Sequence, residues 1–127
     1  MAFTYHQFDK GQTPPIEYLP PTASEVFSVG EALVLSGGAA TKCGATAVPA
    51  YICTGPKNDA GMVPATRVQK DIVYDVPLSA AGTALKIGDK VTLHTDGLSV
   101  TATTASGVAE ITGMTGTAAG DLVQVRF

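Results

Sequence analysis

Charge is what this 127-residue chain has least of: only 15% of its residues are Asp, Glu, Lys or Arg, against a usual ~25%. Ala, Thr, Gly and Val take their place, which predicts a neutral, polar surface. Such a surface serves a crowded free monomer poorly, because charge supports solubility, and it suits a protein packed against others. The eight basic residues are scattered within a net charge of −3. A nucleic-acid footprint needs clustered Lys and Arg to neutralise phosphates, so no nucleic-acid partner is expected. Trp is absent. No run approaches the ~20 apolar residues that span a bilayer, so no membrane partner is expected either. The stretch MAFTYHQFDK has neither the basic nor the apolar region of a signal peptide, which predicts synthesis and folding in a reducing cytoplasm. Cysteines are few: Cys43 and Cys53 lack metal-ligand spacing. They read as small buried thiols or as a disulfide between neighbouring strands.

The usual carriers of chemistry are missing too. His6 and His94 have no partner at ligand spacing such as His-x-x-x-His. There is no Gly-x-Ser-x-Gly elbow, and no Gly-rich stretch leads into Lys-Ser/Thr and a helix as a phosphate loop would. Glu31, Asp89 and Asp121 are the candidates for a general acid–base pair, but a repeat described below accounts for all three as turn acids. The expectation is therefore no enzyme: no catalytic residue, no metal and no cofactor.

What is present from Phe27 onward is β-strand signal: short runs of Val, Ile, Leu and Thr between Gly, Pro, Asp and Asn, without a 3.6-residue period. Strands are expected at 32–35, 39–43, 50–54, 65–69, 71–76, 90–94, 98–103, 108–111 and 122–127. Asp96-Gly97 suits the positive-φ positions of a tight hairpin. Thr22-x-x-Glu25 has capping-box spacing and predicts at most one helical turn.

Residues 1–24 differ. They hold four of the eight prolines, as two Pro-Pro pairs, and four of the eight Phe and Tyr residues. Pro-Pro favours an extended, polyproline-like path outside any ladder, while aromatic side chains argue against a disordered linker. This arm either packs on its own domain or crosses onto a neighbouring subunit or partner surface. In the second case Phe3, Tyr5, Phe8, Pro14, Pro15, Ile16, Tyr18 and Leu19 are the binding residues, and removing residues 1–20 should leave a folded domain of residues 25–127.

Self-similarity is the most informative feature. Val29-Gly30-Glu31-Ala32-Leu33-Val34-Leu35 matches Ile87-Gly88-Asp89-Lys90-Val91-Thr92-Leu93 at an offset of 58. With one extra residue in the second copy the offset becomes 59, aligning Gly38 with Gly97, Ile52 with Ile111, Ala60-Gly61 with Ala119-Gly120 and Arg67 with Arg126. Residues 29–68 and 87–127 thus read as two similar ~40-residue units, joined by 69–86. Each opens with apolar-Gly-acid before a strand, and Ala119-Gly120-Asp121 is a third such opener. Gly permits a conformation closed to other residues, and the acid can hydrogen-bond nearby backbone N–H groups. Neither unit can bury its apolar face alone, so an all-β barrel or sandwich built from both is expected, with an extended N-terminal arm.

Gly-Glu-Ala-Leu-Val-Leu (30–35), Pro-Ala-Tyr-Ile (49–52), Tyr-Asp-Val-Pro-Leu (74–78), Gly-Asp-Lys-Val-Thr-Leu (88–93) and Gly-Asp-Leu-Val-Gln-Val-Arg-Phe (120–127) resemble the small capsid decoration, or cement, proteins of tailed bacteriophages. The resemblance covers roughly residues 26–127. It implies a structural protein on the virion surface, made in the host cytoplasm. Such a protein binds the major capsid protein, often as a homotrimer, and clamps neighbouring capsid subunits together. A different class, a carbohydrate- or polymer-binding β-domain, would need exposed aromatics on a rigid surface. Outside the arm only Phe27, Tyr51, Tyr74 and Phe127 could supply them. A small hydrolase would need Glu31, Asp89 or His94 brought into one pocket.

Overall fold

Side chains alternate between two faces along a strand, and the short apolar runs of this chain settle into ten strands on that basis. The structure is a computed structural model that describes residues 2–8 and 14–127, without the Phe8 side chain. The strands are β1 (Thr4–Phe8), β2 (Ile16–Leu19), β3 (Ala32–Ser36), β4 (Ala39–Lys42), β5 (Tyr51–Cys53), β6 (Val63–Arg67), β7 (Ile72–Pro77), β8 (Lys90–Val91), β9 (Ala109–Met114) and β10 (Leu122–Arg126). They form two five-stranded antiparallel sheets, ordered β2-β6-β5-β3-β4 and β1-β7-β10-β9-β8. The protein is all-β, a sandwich of these two layers. Among the described residues no helix is long and apolar enough to cross a membrane.

The main core lies between the layers. Ala32 and Ile52 come from the first sheet, while Ile72, Tyr74, Val76, Val91, Ala109, Ile111, Val123 and Val125 come from the second. The first sheet is apolar on both faces, because the alternate residues Leu33, Tyr51, Cys53, Val63 and Ala65 build a second cluster with Leu19 and Phe27. The second sheet keeps one polar face. There the Asp75 carboxylate accepts a hydrogen bond from Gln124 Nε2 at 2.7 Å, and Arg126 Nε pairs with Glu110 at 2.9 Å.

Turn chemistry follows the expected positions. Ser36 pairs with Ala39 across Gly37 and Gly38, both at positive φ (60° and 81°), as a two-residue hairpin turn of the primed type requires. The three openers share one geometry: Gly30, Gly88 and Gly120 all have left-handed backbone. Asp89 and Asp121 each accept the N–H of the residue three before, Lys86 and Ala118.

The strand pairing extends the repeat beyond residues 29–68 and 87–127. Leu19 pairs with Val63 and Glu17 with Ala65. At offsets of 58 and 59 these become Pro77 with Leu122 and Asp75 with Gln124, which also pair. Strand β2 is therefore the counterpart of β7, and the linking strand is the first strand of unit two. The chain leaving each of these strands also closes its unit: Pro21 bridges Ala40, and Leu78 bridges Val100. The offset itself divides. Across β5–β6 and β9–β10 it is 59, since Tyr51–Arg67 becomes Glu110–Arg126. Across β3–β5 and β8–β9 it is 58, since Leu33–Tyr51 becomes Val91–Ala109.

Three expectations are corrected. The arm is not outside the ladders: β1 pairs with β7 and β2 with β6. Residues 98–103 form no strand. Their backbone does meet the stretch after β8, with Thr92 N–H to Thr103 O, Thr101 N–H to Thr92 O and His94 N–H to Ser99 O. Asp96, however, takes the Leu98 N–H and Thr101 Oγ1 the Thr103 N–H, and such local bonds break up a regular ladder. Only Val100 bridges there, to Leu93 and Leu78. Thr22–Glu25 is a single turn closed by the Glu25 N–H on the Thr22 carbonyl. It is not a capping box, because the Thr22 hydroxyl bonds the Ala40 carbonyl at 2.8 Å while Glu25 turns to the Thr41 hydroxyl and the Lys42 N–H.

Candidate interaction surface

The arm divides into residues the fold uses and residues it leaves outside. Phe3 is buried in the main core, where its ring meets those of Tyr74 and Phe127 at 6.2 and 5.7 Å between centroids. Its N–H bonds the Gly30 carbonyl at 3.0 Å, tying the arm to the first opener. Tyr5 is half-buried and its hydroxyl reaches Thr66 of β6, so it spans the seam between the sheets. Pro14 is buried and Leu19 belongs to the second cluster. Pro15 is exposed, and Ile16 and Tyr18 are 53% and 57% exposed. The Phe8 side chain lies outside the described residues. With Phe3 and Leu19 in the cores and both arm strands in the sheets, the described part of the arm belongs to the body, and removal of residues 1–20 is expected to unfold it.

Strand β2 is an open edge. Residues of an antiparallel strand point their backbone groups alternately to one neighbour and the other. In β6 the Pro64 carbonyl accepts the Thr54 N–H, and just beyond it the Val68 N–H bonds Ala50. The even-numbered residues thus face the β5 side, and Ala65 and Val63 face Glu17 and Leu19. Ile16 and Tyr18 therefore aim their N–H and C=O groups away from the sheet, where nothing among the described residues pairs with them. Glu17 lies on the other face, held by the Tyr51 hydroxyl at 3.3 Å and Arg67 at 3.4 Å.

The sequence reading missed other apolar groups left outside. Val29 and Ile87, the apolar members of two equivalent openers, are 60% and 68% exposed, and Val26 is 79% exposed. The repeat carried the signal, since an apolar residue just before a left-handed Gly sits on a turn and not in a strand. A shallow apolar groove separates the Val29 turn from β1, lined by Phe3, Tyr5, Val29 and Ile52.

The candidate acids and histidines stay apart in their roles. Asp89 and Asp121 are turn acids, as above. Glu31 also takes a backbone bond from the residue three before, Ser28, but is buried, with its Oε2 atom unpartnered. Burial pushes its carboxyl up to about 7, a rise that Glu25 and Asp96 add to and that Lys42 and a backbone bond from Ser28 oppose. His6 lies over Asp75 on the polar sheet face, and His94 accepts the Asp96 N–H in a turn. Cys43 and Cys53 are free thiols in different clusters. Burial raises both, Cys43 to about 11. The Tyr74 hydroxyl is fully buried without a partner, and burial raises it strongly. Phe27, Tyr51 and Tyr74 are all core residues, so they offer no aromatic platform to a sugar.

Comparison with protein-family models, with curated proteins and with solved structures found no match.

Proposed function

We propose that this chain is a structural decoration protein that binds the outside of a tailed-phage capsid and stabilises it by clamping neighbouring capsid subunits. One observation carries the reading. Among the apolar side chains left outside are Val29 and Ile87 at two equivalent turns, Val26, and Ile16 and Tyr18 on the β2 edge, with only a shallow groove beside Val29. Val26, Val29 and Ile87, exposed outside two filled cores, support a role in making contacts. Each such side chain is worth roughly 1.5–3 kcal/mol when fully covered, less the cost of association. A neutral surface also suits a position among closely packed subunits. Of the arm, Pro15, Ile16 and Tyr18 remain open to a capsid subunit or to a neighbouring copy.

The test is compositional. Mass spectrometry of purified virions from the phage or prophage whose genome carries the chain should find it in stoichiometric amount, and cryo-electron microscopy should place it outside the shell. Its absence from the particle overturns the reading. Within a binding particle, Val29→Asp with Ile87→Asp should weaken attachment at least about tenfold, since a buried unpaired carboxylate is costly, while the melting temperature stays near that of the parent.

A further inference from the structure

We propose that two copies of this chain pair through the outer edges of their β2 strands, antiparallel, so that their first sheets become one continuous sheet. This goes beyond the capsid reading and does not depend on it.

Of the other sheet margins, those of β4 and β8 are covered, and the remaining edge, β1, is bulged. β4 is covered by the segment after β2, with Ala40 N–H bonding Pro20 O and Thr22 N–H bonding Ala40 O. Beyond β8, Val100 bridges both Leu93 and Leu78. The outer side of β7 carries β1. That last case is an internal template, because β7 is the counterpart of β2. Tyr5 of β1 lies opposite Tyr74, and Tyr74 is Ile16 advanced by the offset of 58. An edge of this geometry thus already takes an antiparallel strand in one half of the molecule.

Natural edges are usually blunted by Lys, Pro or a bulge. Strand β1 has a bulge between Tyr5 and Gln7. Strand β2 has no bulge: its four residues Ile-Glu-Tyr-Leu keep an unbroken register with β6, and the Pro-Pro pairs at 14–15 and 20–21 confine any further pairing to this segment.

The occupant is a second β2 because this strand complements itself. An antiparallel pair centred on Glu17 sets Ile16 of one copy opposite Tyr18 of the other, twice. These are the residues whose backbone groups point outward, so each pair exchanges both backbone hydrogen bonds. Their half-exposed apolar side chains share one face and cover each other. The two Glu17 carboxylates meet on the opposite face, each already balanced by its own Arg67 and bonded to its own Tyr51.

The contact closes at two copies. Light scattering after size exclusion, over a range up to about 1 mM, should show the mass rise from 12.9 kDa towards twice that value. Tyr18→Lys should shift the midpoint at least tenfold higher with an unchanged melting temperature of the monomer. Glu17→Cys should give a disulfide-linked dimer under mild oxidant, since centred non-bonded pairs place Cα atoms about 4.5 Å apart. Val26→Cys, exposed elsewhere, should cross-link far more slowly. A monomer throughout, a three-chain mass indifferent to Tyr18→Lys, or equal cross-linking at both sites overturns the pairing. A dimer without capsid attachment leaves the pairing standing and removes only the capsid reading.

Discussion

Glu31 stands where the two units meet. Its neighbour Ala32 donates its N–H to the Gly97 carbonyl of unit two, and a Cβ at Gly97 would touch the Glu31 side chain at 3.2 Å. Unfolded, its carboxyl titrates near 4.5, and folded near 7. Between these values the folded chain holds a proton that the unfolded chain has released. Stability therefore falls as pH rises from 4.5 to 7 and levels off above. Glu31→Gln removes the liability. At pH 8 the variant is expected to exceed the parent by on the order of 2 kcal/mol, with the gap closing towards pH 4.5. Denaturant titrations across this range check it, and a gap independent of pH would refute it. The opener motif makes Asp89 and Asp121 readable as turn acids from their spacing alone. Glu31 takes the same bond, from the Ser28 backbone three before it. What the motif does not show is its burial, because that depends on what the other unit brings and no local pattern contains it.

Among elements, the two openers separate conformation from contact. Gly30 and Gly88 both sit at positive φ (80° and 98°), where any side chain is strained. A Cβ at Gly30 would also meet Ala2 Cβ at 2.3 Å and the Phe3 carbonyl at 3.0 Å, while Gly88 faces open space. Gly88→Ala should cost about 1 kcal/mol, and Gly30→Ala clearly more, the difference measuring the arm's closure on unit one. Equal costs in urea unfolding would mean the arm does not press there. The strands inside each unit were legible because alternation and turn residues lie within a few positions of one another. Strands β1 and β2 were not, since Ile-Glu-Tyr-Leu beside Pro-Pro reads as extended chain until its partner, 44 to 50 residues on at Val63–Thr66, supplies the ladder. The stretch Leu98–Thr103 differs in the opposite sense: it alternates like a strand and its backbone bonds Thr92 and His94, but Asp96 and Thr101 take two of its N–H groups and the ladder stays irregular.

At the scale of the whole molecule, one side chain from the arm helps hold the layers together. Phe3 packs on Tyr74 and Phe127 of the second layer while its N–H bonds Gly30 of the first. Phe3→Ala is expected to cost about 3–5 kcal/mol, as buried Phe truncations do. It should do so in one cooperative transition, because the main core is shared by both units. Two separate transitions, or a loss below about 1 kcal/mol, would show that the units stand independently. The β-rich architecture and the two units could be read from spacing. The depth of the arm could not, because aromatic residues in an extended segment announce a need for burial without naming the place.

The pairing of β1 with β7 also orders events during synthesis. Thr4 lies opposite Asp75, so β1 is made before the strand that receives it, and at roughly 5–20 residues per second it waits several seconds. Unit one can meanwhile complete its own sheet, from β2 to β6, without it. Phe3 and Tyr5 stay uncovered on the nascent chain throughout that interval. Joining partners so far apart in the chain is slow, since the loop must close before its contacts reward it. The last part of unit one's surface to be sealed is thus sealed by its earliest residues, and chaperone capture during translation would be expected to concentrate on that segment.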